Sequence, residues 1–254
     1  SANAAPSSAI QQLNRTAGMR LPSDALPGTD RPGHPLSERY RHNRAMLLDF
    51  IRTHTAPSPV PFVPEIVLHQ AAEPIALWEK TEESGAEQPP PFWAFAWAGG
   101  QALARHVLDH PGLVEGRSVL DLATGSGLVA VAAARAGADP VTANDIDPLS
   151  LAAAEVNAAA NGVTVQAVQA DLLDSDDTYG VILAGDVFYS REMAARVLPF
   201  LRRAAGRGTL VLVGDPGRAY LPADGLIRQA SYDVPVVEAL ESVPVRHTTV
   251  WQVR

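Results

Sequence analysis

Three aspartates end apolar stretches that predict buried β-strands. Asp121 lies in VLDLA, Asp145 ends VTAND, and Asp171 follows the third stretch, in QADLL. In an open α/β sheet, ligands bind at the carboxyl ends of the parallel strands. One aspartate at a strand end is ordinary, because this residue often starts turns and caps helices. Three in these places together favour a ligand site lined by carboxylates.

A glycine-containing turn follows the first of these strands. The sequence there is ATGSG, and it leads directly into a predicted helix. Glycine lets a ligand approach the backbone closely, and the first N–H groups of a helix are free to bind it. The spacing of Gly125, Gly127 and Ala130 also fits a dinucleotide fingerprint, but a single match of this kind is weak. A tight turn without a ligand is the alternative.

The order of the acids favours one ligand over a dinucleotide. Asp145, eighteen residues after Gly127, can accept both hydroxyl groups of a ribose, and Asp171 can accept an adenine amino group. Asp121 precedes the glycines, where it would repel a pyrophosphate but attract an ammonium group. S-adenosylmethionine carries an ammonium group, a ribose and an adenine. The residues therefore predict a site for S-adenosylmethionine.

The composition excludes several other kinds of site. The 254 residues carry a formal net charge of −8, which argues against a cationic surface for duplex nucleic acid. Cysteine is absent, so thiolate nucleophiles and zinc ribbons are excluded. The only lysine, Lys80, lies outside any glycine-rich loop, which excludes a Walker phosphate loop. Of the seven histidines only His106 and His110 share a helical face, which we interpret as a polar stripe rather than a metal site.

The same sequence predicts the surroundings of the protein. It has no apolar run long enough to cross a membrane and no secretory signal, so we expect a cytoplasmic protein that binds no membrane. Its partner is expected to be a protein or a small-molecule acceptor, not a nucleic acid. Nothing in the sequence indicates an oligomeric state.

The chain divides into three predicted parts. Residues 1–40 are small, polar and rich in proline, which predicts a disordered or wrapping arm. Residues 41–98 are predicted to form a helical cap, with one helix over Tyr40–Thr53 and a second over Ile66–Thr81 or part of it. Residues 99–254 are predicted to form the ligand-binding domain.

Apolar strands alternate with helices of ten to fifteen residues after Gly100. This alternation is typical of βαβ units with a parallel sheet. The last two predicted strands are rich in Val and Thr and indicate an antiparallel hairpin. The predicted fold is therefore an α/β, doubly wound, mostly parallel sheet with a C-terminal hairpin and an N-terminal extension.

From about His54 to Arg254, the chain resembles the class I S-adenosylmethionine-dependent methyltransferases. Within that class it is similar to the electron transfer flavoprotein β-subunit lysine methyltransferases and their bacterial relatives. The resemblance is carried by PFWAFAWAGGQALARHVLDHP, VLDLATGSGLVAVAAARAGA, NDIDPLSLAAAEVNAAANG, LAGDVFY and VLVGDPGRAYLP. It implies a seven-stranded sheet, S-adenosylmethionine as methyl donor, and a protein lysine as acceptor.

The resemblance also implies which residues bind the donor. They lie at the ends of the predicted strands and in the aromatic segment ahead of the first domain helix. The predicted cofactor residues are Trp97, Asp121, Ala123, Thr124, Gly125, Gly127, Asp145, Ile146, Asp171, Leu172 and Ala184.

The acceptor end of the site is predicted from a second motif. The family's pattern Asp-x-Phe-Tyr falls on DVFY, and Asp186 and Tyr189 are the predicted catalytic residues. For Phe188, contact with the substrate and packing in the core are equally favoured. Arg218 and Tyr220, in the turn after the fifth parallel strand, are predicted to contact the substrate. Among the other aromatics, Phe92, Trp93 and Phe95 are predicted to pack in the core.

Two residues depart from the family's pattern. Ala123 stands where the loop usually has its first glycine, and Ser190 stands where relatives commonly carry an acid. The serine at position 190 leaves the identity of the methyl acceptor open. The leading hypothesis is a protein-lysine methyltransferase, and a methyltransferase for a small amine or indole is the alternative. An NAD-dependent oxidoreductase would need a Tyr-x-x-x-Lys pair, which Lys80 does not provide. The fourth hypothesis is a binding module with the S-adenosylmethionine-binding fold and no catalytic activity.

Overall fold

The computed structural model describes residues 38–73, 76–77 and 90–254. All but the last three residues of the predicted arm (1–40) lie outside this range. In chain order, the helices and strands are α1 (Glu38–His54), β1 (Ala56–Val60), β2 (Val63–Gln70), α2 (Ala98–Asp109), β3 (Val119–Leu122), α3 (Leu128–Arg135), β4 (Val141–Asp145), α4 (Pro148–Ala160), β5 (Gln166–Gln169), β6 (Val181–Gly185), α5 (Arg191–Gly206), β7 (Leu210–Asp215), β8 (Leu226–Pro235), α6 (Glu238–Glu241) and β9 (Val245–Val253).

Seven strands form one sheet, in the order β5-β4-β3-β6-β7-β9-β8. The first five are parallel to one another, and β9 runs antiparallel between β7 and β8. The prediction of a doubly wound sheet with a C-terminal antiparallel hairpin is confirmed. The parallel strands β3, β4, β6 and β7 are buried almost throughout, as expected for strands covered on both faces.

Two apolar clusters cover the two faces of the sheet. One contains side chains of α2, α3 and α4, including Leu103 and Val129. The other contains side chains of α5, including Phe200 and Leu201. Because the helices occupy the faces, the carboxyl ends of the parallel strands are left to form a site along one edge.

Within residues 38–73, the N-terminal part contains α1 and a hairpin. The second helix, predicted over Ile66–Thr81 or part of it, does not include residues 66–70, which lie in β2, whereas residues 76–77 are helical. Strands β1 and β2 pair antiparallel, and Ile66 and Leu68 point inward with the two-residue period of a strand. The side-chain amides of Asn157, on α4, and of Asn161, the residue after α4, form hydrogen bonds with the outer edge of β2. Val67 N donates to Asn161 Oδ1 (3.0 Å), and Asn161 Nδ2 donates to Val67 O (2.7 Å). These amides take the place of a neighbouring strand.

Candidate functional site

The turn after β3 adopts a left-handed backbone at three positions. The φ angles of Ala123, Gly125 and Gly127 are 54°, 52° and 78°. A Cβ atom at Gly127 would lie 2.7 Å from the Cα of Ala154, so only glycine lets α4 pack this closely on the loop. Ala123 does carry a Cβ, and a left-handed alanine costs roughly 1–2 kcal/mol. The missing family glycine is thus a strained position in this chain.

Asp121 is buried at the start of this turn. Its Oδ2 accepts hydrogen bonds from Thr124 Oγ1 (2.5 Å) and from the backbone N–H of Ala130 (2.9 Å). Burial, together with the charge of Asp145, raises the pKa of this carboxyl to about 7, against the effect of the two donors. A cationic ligand group beside Asp121 would favour its ionised form. The carboxyl therefore fits the predicted partner, an ammonium group.

Asp145 ends β4 and lies beside an exposed apolar side chain. Its Oδ2 accepts from Gly125 N and its Oδ1 from Asp147 N, both at 3.1 Å. Burial is the main cause that raises the pKa of this carboxyl. Ile146, the next residue, is 54% exposed. A carboxylate next to an apolar surface suits a ribose joined to a flat base, so the residues here fit the nucleoside of S-adenosylmethionine.

The remaining predicted cofactor residues line the same edge of the sheet. Leu172, after β5, and Ala184, in β6, are both buried. Asp171 is partly exposed; its Oδ2 forms an ion pair of 2.8 Å with Arg196 and its Oδ1 accepts from Leu173 N (3.2 Å). A contact between Asp171 and an adenine amino group stays a prediction.

An aromatic group lies over the glycine turn. Trp97 donates from Nε1 to the carbonyl of Phe92 (2.8 Å), and the ring of Phe92 lies 5.8 Å from the Trp97 ring and 5.6 Å from the Tyr189 ring. The carbonyl of Phe92 also lies 4.0 Å from the position of a Cβ on Gly125. Burial raises the pKa of the Tyr189 hydroxyl, as does the charge of Asp145.

Two of the three aromatic residues predicted to pack in the core are buried there, and one is not. Trp93 and Phe95 are buried in the core, as predicted. Phe92 is partly exposed instead, because it belongs to the aromatic group over the turn. Phe188 has no exposed surface and packs with α5, which favours the core interpretation; its contact with a substrate stays a prediction.

Asp186 follows β6 and is fixed from two sides. Its φ angle is 57°, which turns the carboxylate toward the start of α2. The backbone N–H of Gly100 donates to Oδ2 (3.1 Å), and Arg218 donates to Oδ1 from Nε (3.0 Å) and Nη2 (2.6 Å). Gly99 makes this approach possible, since a Cβ there would lie 2.2 Å from the carbonyl oxygen of Gly214.

Arg218 connects Asp186 to a second carboxylate that the sequence did not single out. Glu241, in α6, is 2% exposed and accepts from Arg218 Nη1 (3.0 Å) and Nη2 (2.7 Å). The guanidinium also lies 5.9 Å from the ring centre of Trp97. The two carboxylates raise the pKa of Arg218, against the effect of its burial.

The turn that carries Arg218 is held by Asp215, at the end of β7. Asp215 Oδ1 accepts from the N–H groups of Gly217 and Arg218, both at 2.7 Å, and burial raises its pKa to about 6. Tyr220, predicted to contact substrate, is 38% exposed, and Arg191 lies over its ring at 5.5 Å. Ser190 caps α5 by accepting from Met193 N (3.1 Å), which is what an acid at this position would also do.

Residues 38–73, 76–77 and 90–254 contain neither a cluster of metal ligands nor a membrane-spanning helix. No group of three or more potential metal ligands occurs in that part of the chain. In the same ranges, none of the helices has the length and apolar character needed to span a bilayer.

The known proteins that this chain matches are methyltransferases. A family model described as ribosomal protein L11 methyltransferase (PrmA) matches residues 103–187. The chain is 35% identical over 244 residues to the electron transfer flavoprotein beta subunit lysine methyltransferase of Xenopus laevis, covering 93% of this chain and 98% of that protein. The Danio rerio protein of the same name is 36% identical over 196 residues, covering 74% and 76%.

Among solved structures, the chain is similar to a ribosomal protein L11 methylase from Lactobacillus delbrueckii subsp. bulgaricus. The identity is 24% and the TM-score 0.47, with 63% of this chain and 80% of that chain covered. The Xenopus laevis relative is similar over nearly its whole length. The chain therefore belongs to the electron transfer flavoprotein beta subunit lysine methyltransferase family and is an S-adenosylmethionine-dependent methyltransferase.

Proposed function

We propose that the protein methylates the side-chain amine of a lysine in a protein resembling the β-subunit of electron transfer flavoprotein. One observation carries the proposal. The carboxylate of Asp186 lies at the carboxyl edge of the sheet, next to the residues that fit the cofactor, and already holds a cation, the guanidinium of Arg218. A lysine ammonium has the same charge and binds carboxylates in the same way.

The donor is held by residues of the strand ends. S-adenosylmethionine, when bound, supplies a methyl group on a positively charged sulfur. Asp145 would accept the ribose hydroxyls, Ile146 would cover one face of the base, and Asp121 would attract the ammonium group. Backbone N–H groups of the turn around Gly125 and Gly127 remain close to the ligand because these residues have no side chain.

Methyl transfer to an amine needs alignment and a free lone pair on nitrogen. Proximity and orientation can supply most of the acceleration. Asp186 would bind the amine by a charge-assisted hydrogen bond and direct it toward the donor. The proton lost by the ammonium group goes to water or to Asp186. The rings of Phe92, Trp97 and Tyr189 would exclude water around the reacting atoms.

The test is methyl transfer in a purified system. The protein is incubated with isotope-labelled S-adenosylmethionine and purified electron transfer flavoprotein β-subunit, and the modified residue is identified by peptide mass spectrometry. Asp145→Ala, which should lose donor affinity, is the negative control. Label on a lysine supports the proposal.

The same assay separates the alternative acceptors. Label that appears only in a metabolite extract would replace the proposal with the small-molecule alternative. Calorimetric binding of NAD but not of S-adenosylmethionine would contradict the assignment of the site. The proposed compartment is the cytoplasm, which cell fractionation followed by immunoblotting would test.

A further inference from the structure

Glu241 lies on the connection between β8 and β9, which follows the parallel strands in the sequence. From its composition this stretch, EALESVP, is only a linker between two strands. In the structure Glu241 is nevertheless buried, and both of its carboxylate oxygens accept from Arg218. A buried carboxylate with a defined partner needs a reason, because removing the charge from water is costly.

Arg218 is shared between two carboxylates in a way that allows it to release one of them. Its Nε donates to Asp186, its Nη1 donates to Glu241, and its Nη2 lies 2.6 Å from Asp186 Oδ1 and 2.7 Å from Glu241 Oε1. Through Nη1 and Nη2 it would keep a two-bonded pair with Glu241 after leaving Asp186. Such bidentate pairs are the strongest that arginine forms.

Binding of the acceptor at Asp186 Oδ1 requires this release. Oδ1 already accepts from Nε and Nη2 of Arg218, so an ammonium group that binds this oxygen takes the place of Arg218 there. If Asp186 were the only partner of Arg218, the exchange would leave a buried guanidinium unpaired. Breaking a buried ion pair in this way is strongly unfavourable. A second carboxylate on the other side of the guanidinium removes that obstacle.

We propose that Glu241 is a positioning residue for the acceptor: it retains Arg218 while an alkylammonium group replaces Arg218 at Asp186. The inference rests on the proposed function, because it assigns the acceptor amine to Asp186. The chemical class of ligand is a primary or methylated alkylammonium ion, as in a lysine side chain.

Arg246 gives the proposal a second, opposite test. Its Nε donates to Glu241 Oε2 (3.2 Å), the same oxygen that accepts from Arg218 Nη1, and its Nη2 donates to the Glu241 carbonyl (2.7 Å). Arg246 thus shares the negative charge of the Glu241 carboxylate with Arg218. Without it, Glu241 should hold Arg218 more firmly and leave Asp186 more available to an acceptor.

The experiment compares Glu241→Gln, Arg246→Gln and the control Glu238→Gln, an exposed residue of the same helix α6. The KM for the acceptor and the kcat are measured with purified electron transfer flavoprotein β-subunit as the acceptor. The Kd of S-adenosylmethionine is measured by calorimetry. Glu241→Gln should raise acceptor KM on the order of tenfold or more, the effect of one weakened charged hydrogen bond. Arg246→Gln should leave the acceptor KM unchanged or lower it. Glu238→Gln should change neither the acceptor KM nor the Kd of S-adenosylmethionine.

A merely structural role gives a different pattern. If Glu241→Gln weakens S-adenosylmethionine binding as much as it raises acceptor KM, or if Arg246→Gln raises KM to the same extent, the proposal is overturned. Arg246→Gln changes a residue that is 35% exposed, so it tests the proposal even if Glu241→Gln fails to fold.

Calorimetric titration with n-butylammonium, in the presence of S-adenosylhomocysteine, repeats the comparison without a protein acceptor. Weaker binding of this ion to Glu241→Gln than to wild type supports the exchange, and equal binding contradicts it. Absence of lysine methylation by the wild type would contradict the proposed function alone, because the butylammonium result does not depend on it.

Discussion

The side-chain amide of Asn157 donates a hydrogen bond of 2.8 Å to the carbonyl of Ser126, inside the glycine turn. The Oδ1 of the same side chain accepts from the backbone N–H of His69, in β2 (2.7 Å). One fully buried residue of α4 therefore connects the N-terminal hairpin to the loop that fits the cofactor. The hairpin is coupled to the cofactor site through this amide.

The first prediction concerns that coupling. Asn157→Ala should lower the free energy of unfolding by about 2–3 kcal/mol, because it leaves the buried carbonyl of Ser126 and the partly buried N–H of His69 without this partner. It should also raise the Kd of S-adenosylmethionine roughly tenfold, since the turn loses a support. Asn161→Ala is the matched control: it breaks the bonds to Val67 but touches no residue of the turn. Calorimetry and urea unfolding would measure both variants, and equal losses of affinity would contradict the assignment.

The hairpin shows why part of the fold was not readable from the sequence. Repeated apolar strands and helices predicted the sheet, because each signal lies within a few consecutive residues. The strand Val63–Gln70 is completed by the amides of Asn157 and Asn161, about ninety residues later. Its apolar residues alone were also compatible with a helix.

The residues of the candidate site also divide into those that the local sequence predicts and those that only folding brings together. Asp121, Asp145 and the glycine turn were predictable, since strand ends and glycines mark them locally. The roles of Glu241 and Phe92 were not, because each depends on a partner brought close only by folding. Glu241 contacts Arg218 across the sheet edge, and Phe92 lies against Tyr189.

A second prediction tests the strain at Ala123. Ala123→Gly should raise the free energy of unfolding by about 0.5–1 kcal/mol, the relief of a left-handed alanine less the added freedom of glycine in the unfolded chain. Ala159→Gly, at an exposed position of α4, should lower it by about the same amount, because glycine weakens a helix. Urea unfolding measures both, and a loss of stability in Ala123→Gly would contradict the strain.

The third prediction follows from the raised pKa of Asp121. The folded protein holds the proton of this carboxyl up to about pH 7, whereas the unfolded chain releases it near 3.8. Between these values the folded state binds more protons, so the contribution of Asp121 to stability falls as pH rises and is constant above the folded pKa. Asp121→Asn should therefore flatten the decline in unfolding free energy between pH 4 and 7.

The same variant should separate stability from binding. An asparagine can still accept from Thr124 and Ala130, so Asp121→Asn should be at least as stable as the wild type at pH 8. It should bind S-adenosylmethionine roughly tenfold or more weakly, because the charge that attracts the ammonium group is gone. Asp176→Asn, at an exposed position, is the control and should change neither quantity. Unchanged affinity in Asp121→Asn would contradict the assigned contact.

The last prediction concerns the contact between α2 and the strand ends. A Cβ at Gly99 would lie 2.2 Å from Gly214 O and 2.6 Å from Asp186 Oδ2, so Gly99→Ala must push the helix away from the sheet. We expect a loss of about 2–3 kcal/mol of unfolding free energy, typical of overpacking. We also expect a fall in kcat, because the displaced helix withdraws Gly100 N from the Asp186 carboxylate. Gly112→Ala, which meets no atom within 4 Å, is the control. Urea unfolding and single-turnover methylation measure the two effects, and a Gly99→Ala protein with full turnover would show that the Gly100–Asp186 bond does not orient the acceptor.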